Sequence, residues 1–173
     1  MKRCDRLVDV GRRQFLRGSG LAVAGAAAAG AMPREAKAAP AAARVDYPAN
    51  RLANIADLTV NQPLRVAYPD DNAPGVLLKL GTPVEGGVGP DGDIVGFTTV
   101  CPHKGFPLRY DGERRTLNCP GHYSVFDPEK GGQQVWGQAT QNLPQYTLRV
   151  DDAGDIHAEG LDELLYGRLS NVL

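Results

Sequence analysis

The sequence predicts an all-β domain, an antiparallel sandwich rich in loops. Three observations carry this expectation. Glycine (21) and proline (13) are abundant among the 173 residues. Helical periodicity is absent over most of the chain. Short apolar runs recur between turn signals at regular spacing. The length suits one domain with its own core.

Residues 1–39 read as an export signal rather than as part of the fold. The segment Gly11-Arg12-Arg13-Gln14-Phe15-Leu16-Arg17 resembles a twin-arginine (Tat) signal. An Ala- and Gly-rich stretch follows, from about Gly18 to Ala31. A spanning helix needs about 20 predominantly apolar residues, so no stable membrane anchor is expected. Small residues at Ala36 and Ala38 suit cleavage near Ala38. The destination this implies is the bacterial periplasm. A chain exported folded can acquire its cofactor in the cytoplasm first.

Residues 40–63 read as a proline-interrupted lead-in to a domain spanning 40–173. Strands are predicted at Leu64–Tyr68, Val76–Leu80 and Ile94–Val100, divided by the turn Asp70–Gly75 and by a loop, Gly81–Asp93, with five glycines and two prolines. Asp111-Gly112 marks a hairpin between Leu108–Tyr110 and Thr116–Cys119. Tyr123–Phe126 and Gln133–Trp136 form another, and Tyr146–Val150 with Asp155–Ala158 a last one. Leu161–Leu169 is predicted as a short terminal helix.

Charge is unevenly spread. Residues 1–38 carry eight Lys/Arg and three Asp/Glu, and the remainder carries eleven against seventeen. An acidic body argues against a nucleic-acid partner. Cys4 lies in the signal, so the mature body has no cysteine pair left for a disulfide once Cys101 and Cys119 serve as ligands.

Those two cysteines lie in the most informative stretch. Cys101 and His103 are one residue apart, fifteen residues follow, and Cys119 and His122 are two apart. Two tight loops facing each other would make a cage of two sulfurs and two imidazoles. Structural zinc takes such a set in a tetrahedron. A [2Fe–2S] cluster takes two Cys on one iron and two His on the other. Zinc sites usually group Cys with Cys and His with His, whereas here each loop supplies one of each. A zinc module that only binds a partner is therefore the weaker reading. His157 stands apart and reads as a structural histidine, and Trp136 and the six tyrosines read as core and interface residues. No Ser/His/Asp set, phosphate loop or carboxylate pair appears.

The pattern C-x-H…C-x2-H, with Pro102 and Pro120 after the cysteines and Ser124 two past the last His, resembles the Rieske family. The resemblance implies a Rieske-type antiparallel β-sandwich with a small cluster-binding subdomain, here about 96–145. It implies one [2Fe–2S] cluster held by Cys101, His103, Cys119 and His122. It also implies that Ser124 hydrogen-bonds a bridging sulfide. High-potential members bond a ligand sulfur with a Tyr where this chain has Phe126. Quinol-oxidising members join the loops by a disulfide where this chain has Phe106 and Gly121. Gly105 and Gly121 are expected at backbone positions that bring amides near the sulfurs. Pro107 and Pro144 would stiffen neighbouring loops or, for Pro144, enter a strand. Rieske potentials span about −150 to +300 mV, against about −400 mV for plant-type ferredoxins. With Ser124 present and the Tyr absent, an intermediate, positive potential is expected.

The runs Cys101–Leu108, Cys119–Leu148 and Leu161–Leu173 are similar to the small subunit of periplasmic arsenite oxidase. That resemblance implies a non-catalytic electron-transfer subunit of an oxidoreductase. Its partner would be a large molybdopterin subunit with a [3Fe–4S] cluster, and its acceptor a cytochrome c or a cupredoxin. The competing Rieske readings are the subunit of a cytochrome bc-type quinol-oxidising complex and a ferredoxin serving an oxygenase.

Overall fold

The computed structural model describes residues 46–172. The twin arginines, the Ala-rich stretch, Cys4 and the expected boundary near residue 39 lie outside them. Among the described residues, ten strands form three sheets, and every pair of these strands is antiparallel. The first sheet has the order β1 (Asn50–Asn54), β10 (Asp155–Leu161), β9 (Tyr146–Val150). The second is β2 (Pro63–Ala67), β3 (Pro74–Lys79), β4 (Ile94–Thr98). The third is β5 (Arg109–Asp111), β6 (Thr116–Asn118), β7 (Val125–Asp127), β8 (Gln133–Trp136).

Strands β3 and β4 of the second sheet are buried on both faces, which explains their sequence. Strands with one wet face alternate, whereas strands covered on both sides read as continuous apolar runs. Val76-Leu77-Leu78 and Ile94-Val95-Gly96-Phe97 are such runs. Val76, Leu78, Val95 and Phe97 pack toward Leu117, Phe126, Cys101 and Cys119. Leu77 and Ile94 face the other way, onto Tyr68, Tyr146, Leu148 and Ile156. The central sheet thus has one core facing the Cys/His loops and another facing β9 and β10.

Two sequence expectations are corrected. The stretch 40–63 is not a bare lead-in, because its described part holds β1 and a 3-10 turn at Ile55–Asp57, capped by Asn54. β1 pairs with β10 about a hundred residues away, and only Ala53 of its five residues is buried. No local apolar pattern announces such a strand. The terminal helix is also absent. β10 continues to Leu161, pairing with Tyr146, and turns follow. A nine-residue helix is marginal in water, and this segment has better partners. Asn171 accepts the Leu165 N–H (2.8 Å) and donates to the Glu163 carbonyl (2.8 Å) and the Tyr47 hydroxyl (3.0 Å). Arg168 clamps Asp70 with two hydrogen bonds of 2.5 and 2.9 Å.

Candidate metal centre

Both Cys/His loops project from the third sheet and its junction with β4, and one hydrogen-bond frame closes both. The Cys101 N–H donates to the Phe106 carbonyl (2.8 Å), and the Gly105 N–H to the Cys101 carbonyl (2.9 Å). In the second loop the Cys119 N–H donates to the Ser124 carbonyl (2.8 Å), and the Tyr123 N–H to the Cys119 carbonyl (3.1 Å). Each frame puts the fourth residue after the cysteine in the left-handed region, Gly105 at φ 70° and Tyr123 at φ 61°. That conformation is free for glycine and costs a residue with a Cβ roughly 1–2 kcal/mol. The common Cys-Pro start was the sequence signal for the shared frame. The consequence for Tyr123 was missed.

The frames set the four candidate donors in two unlike pairs. Cys101 and Cys119 are buried, 0% and 2% exposed, within the core that holds Leu117 and Phe126. His103 is half-buried and His122 exposed. The imidazoles meet edge to face, with ring centroids 4.7 Å apart at 76°. Burial pushes the Cys101 thiol pKa up. The backbone N–H groups of His103 and Lys104 pull the other way, and the neighbouring Cys119 thiol adds to the rise.

These groups fit a binuclear cluster. His103 Nδ1 is buried without a hydrogen-bond partner. Such an atom is costly unless something completes it. Two thiols inside and two imidazoles outside match two ligands on each of two irons.

Around the donors, Ser124 is fully buried. Its Oγ accepts the N–H groups of Gln138 (3.1 Å) and Ala139 (3.0 Å), which leaves its hydrogen to donate. The bonds tie a third segment, 137–144, to the second loop. Gly137 makes this approach possible, because at φ 100° a Cβ there would lie 2.4 Å from Ser124 Cα. Phe126 is fully buried and pairs with Leu117. Phe106 lies edge-on to His122, with centroids 5.5 Å apart. A Cβ on Gly121 would come within 2.8 Å of the Phe106 ring. The pair Phe106/Gly121 is thus in contact, the ring covering the glycine. A Cβ on Gly105 would meet the Tyr166 ring at 2.6 Å, so the C-terminal segment braces the first loop. Nothing in the local sequence linked residues 105 and 166.

Other singled-out residues fall elsewhere. Pro107 pairs with Val100 across the base of the first loop. Pro144 enters β9, its carbonyl accepting the Thr98 N–H (3.1 Å). His157 bonds Asp151 at 3.0 Å on the first sheet, away from the donors. Trp136, expected in a core or interface, is 71% exposed.

The fold and the two-loop donor set are those of Rieske iron–sulfur proteins. Residues 51–147 match the Rieske [2Fe–2S] domain model, and the chain belongs to that family, whose cofactor is a Rieske-type [2Fe–2S] cluster. The chain is similar to iodate reductase subunit IdrB of Denitromonas iodatirespirans, 39% identical over 163 residues, covering 92% of this chain and 85% of that one. Its likeness to the cytochrome bc1 complex Rieske iron–sulfur subunit of Corynebacterium efficiens is confined to 70 residues, 36% identical, covering 40% of this chain and 17% of that one. Among solved structures, it is similar to the soluble domain of Rieske protein II (soxF) from Sulfolobus acidocaldarius. The TM-score is 0.63 at 25% identity, covering 71% of this chain and 82% of that one. Among the described residues, no helix is long and apolar enough to cross a membrane. The chain is a Rieske electron-transfer subunit, related to subunits of oxidoreductases.

Proposed function

We propose that this chain is the periplasmic electron-transfer subunit of a molybdenum oxidoreductase, exported by the Tat route, with arsenite oxidase as the first reading. Cys101 and Cys119 would hold the inner iron, and His103 and His122 the outer one. The observation that carries the relay role is the polarity of the site, with thiols in the core and imidazoles at the surface. When bound, the cluster supplies reversible one-electron chemistry. The residues do the rest. The amides of His103 and Lys104 favour the Cys101 thiolate. Ser124 fixes the third segment. Phe106 covers the gap between the loops beside His122. The surface-facing imidazoles set the electron's shortest exit to a docked protein.

The arsenite reading rests on the likeness in the runs Cys101–Leu108, Cys119–Leu148 and Leu161–Leu173. The large subunit would carry molybdopterin and a [3Fe–4S] cluster, and a cytochrome c or cupredoxin would accept the electron. A second reading is favoured by the identity with an iodate reductase subunit across most of both chains. The quinol-oxidising reading is weaker, because that likeness is confined to a fraction of the chain and the loops carry Phe106 and Gly121.

The two leading readings demand opposite electron flow, so one experiment separates them. The chain is co-expressed with the large subunit from its own operon, and the complex is followed by EPR without oxygen. An arsenite oxidase develops the Rieske signal when arsenite is added to the oxidised complex. An iodate reductase loses the signal when iodate is added to the reduced complex. A signal that responds only to quinol discards both. Zinc in place of iron on metal analysis, with no EPR signal, discards the cluster assignment at these residues.

A further inference from the structure

The shared loop frame exposes an anomaly. Its fourth slot demands a left-handed backbone, and the first loop fills it with Gly105. The second fills it with Tyr123, at φ 61°. A bulky residue is a genuine outlier there, and such outliers gather where function holds them. The Tyr123 ring is 74% exposed, so the body gains little by burying it. The ring follows His122 directly. Trp136, 71% exposed, lies on β8 opposite Val125 of β7. Phe106, 43% exposed, stands edge-on to His122. Three exposed aromatic residues therefore lie on or next to the second loop: Phe106 against His122, Tyr123 following it in sequence, and Trp136 on the strand paired with the loop's exit.

Apart from the exposed Lys104 of the first loop, the segments that build this corner carry no charge. Residues 119–126 contain no Asp, Glu, Lys or Arg, and neither do the eighteen residues 131–148, in a chain that is 23% charged. Passing electron carriers are steered by complementary charge. Lasting subunit interfaces are more apolar, and their anchors are enriched in Trp and Tyr.

We propose that Tyr123 is kept, against its backbone cost, as an anchor onto an apolar surface of a stably bound partner subunit, with Trp136 beside it. The proposal rests on the reading of the chain as one subunit of a larger oxidoreductase. It goes further in naming the anchor and in assigning this corner to the lasting partner rather than to a passing carrier.

The test uses the full, cluster-loaded chain and the purified large subunit, with association measured by biolayer interferometry. Tyr123→Gly removes both the strain and the ring, Tyr123→Asn suits the left-handed backbone without the ring, and Tyr123→Phe keeps the ring. Tyr123→Gly is expected to raise the Tm of the isolated chain by about 2–4 °C, since glycine's greater unfolded-state freedom offsets about half of the relieved strain, and to keep the Rieske EPR signal. It should weaken association at least tenfold, with Tyr123→Asn following it and Tyr123→Phe near wild type. Trp136→Ala, a change at an exposed side chain, should weaken association in the same way and supports the test independently of loop folding. Wild-type association of both Tyr123→Gly and Trp136→Ala would overturn the proposal. So would normal assembly with slowed electron delivery to a soluble cytochrome c or cupredoxin, which would give the corner to the carrier. Failure of the wild-type chain itself to bind the large subunit would count against the subunit reading instead.

Discussion

Replacing Ser124 with alanine should damage stability and potential together, and the structure allows both effects to be worked out. The hydroxyl oxygen accepts two backbone N–H groups, from Gln138 at 3.1 Å and Ala139 at 3.0 Å. Ala139 is buried, and its amide has no water to turn to. A buried donor left without a partner costs about 1–3 kcal/mol. Gln138 is exposed, so its amide can recover most of its loss from water, leaving about 0.5–1 kcal/mol. Together the loss is about 1.5–4 kcal/mol. At about 4 °C per kcal/mol for a domain of this size, the Tm falls by roughly 6–16 °C. The second effect follows from the same geometry. With both N–H bonds accepted, the remaining hydrogen of Ser124 is the one it can donate toward the cluster. Hydrogen bonds to cluster sulfurs stabilise the reduced, more negative state and raise the potential, so Ser124→Ala should lower it. Thermal unfolding by circular dichroism gives the first quantity and a redox titration followed by EPR gives the second. A variant with a Tm within 2 °C of wild type would refute the claim that Ser124 holds the third segment. An unchanged midpoint potential would refute its donation to the cluster.

Gly137→Ala forces a Cβ to within 2.4 Å of Ser124 Cα and 2.7 Å of the Tyr123 carbonyl at a φ of 100°. It should cost more than about 2 kcal/mol, since strain and overpacking add, and denaturant unfolding will show it as a lowered midpoint with an unchanged slope. Tyr146→Phe is expected to be neutral or stabilising. The Tyr146 hydroxyl is buried without a partner, and burial pushes its pKa well up. Removing an unsatisfied polar atom relieves its desolvation cost, and a clear drop in Tm would contradict this. The ion pair of Asp155 with Arg51 (2.8 Å) and its bond from Asn54 (2.8 Å) hold the Asp155 carboxyl down at about 2, against 3.8 ordinarily. A depressed folded-state pKa adds stability above the unfolded value that is lost as pH falls through the folded one. Asp155→Asn should therefore lower the Tm at neutral pH, and the gap should close between about pH 4 and pH 2. A gap that persists at pH 2 would show that the loss has another cause.

Much of the fold was legible because its strands are local. β3, β4, β8 and β9 lie within a residue or two of where their β-branched and aromatic runs put them, and the Asp111-Gly112 turn joins β5 to β6 as its chemistry requires. β1 and the C-terminal segment were not legible, because distant partners decide them. β1 is a strand only against β10. The segment after Leu161 gives up a helix for bonds to Gln145, Asp70 and Tyr47.

The sequence by itself determined the donor types, their spacing in two loops and the presence of Ser124 and Phe126 beside them. Those are covalent facts, and the Cys-Pro starts with short Cys/His spacings admit few loop shapes. Only the tertiary structure decided which donors face inward, because burial of Cys101 and Cys119 depends on Phe126, Leu117 and the central sheet closing over them. It likewise seated the Phe106 ring on Gly121, braced Gly105 with Tyr166 and gave Tyr123 its left-handed backbone. Each of these arises from packing between segments or from a frame of backbone hydrogen bonds. Residue preference alone carries no information about either, since the same side chains would be content elsewhere until the rest of the chain closes around them.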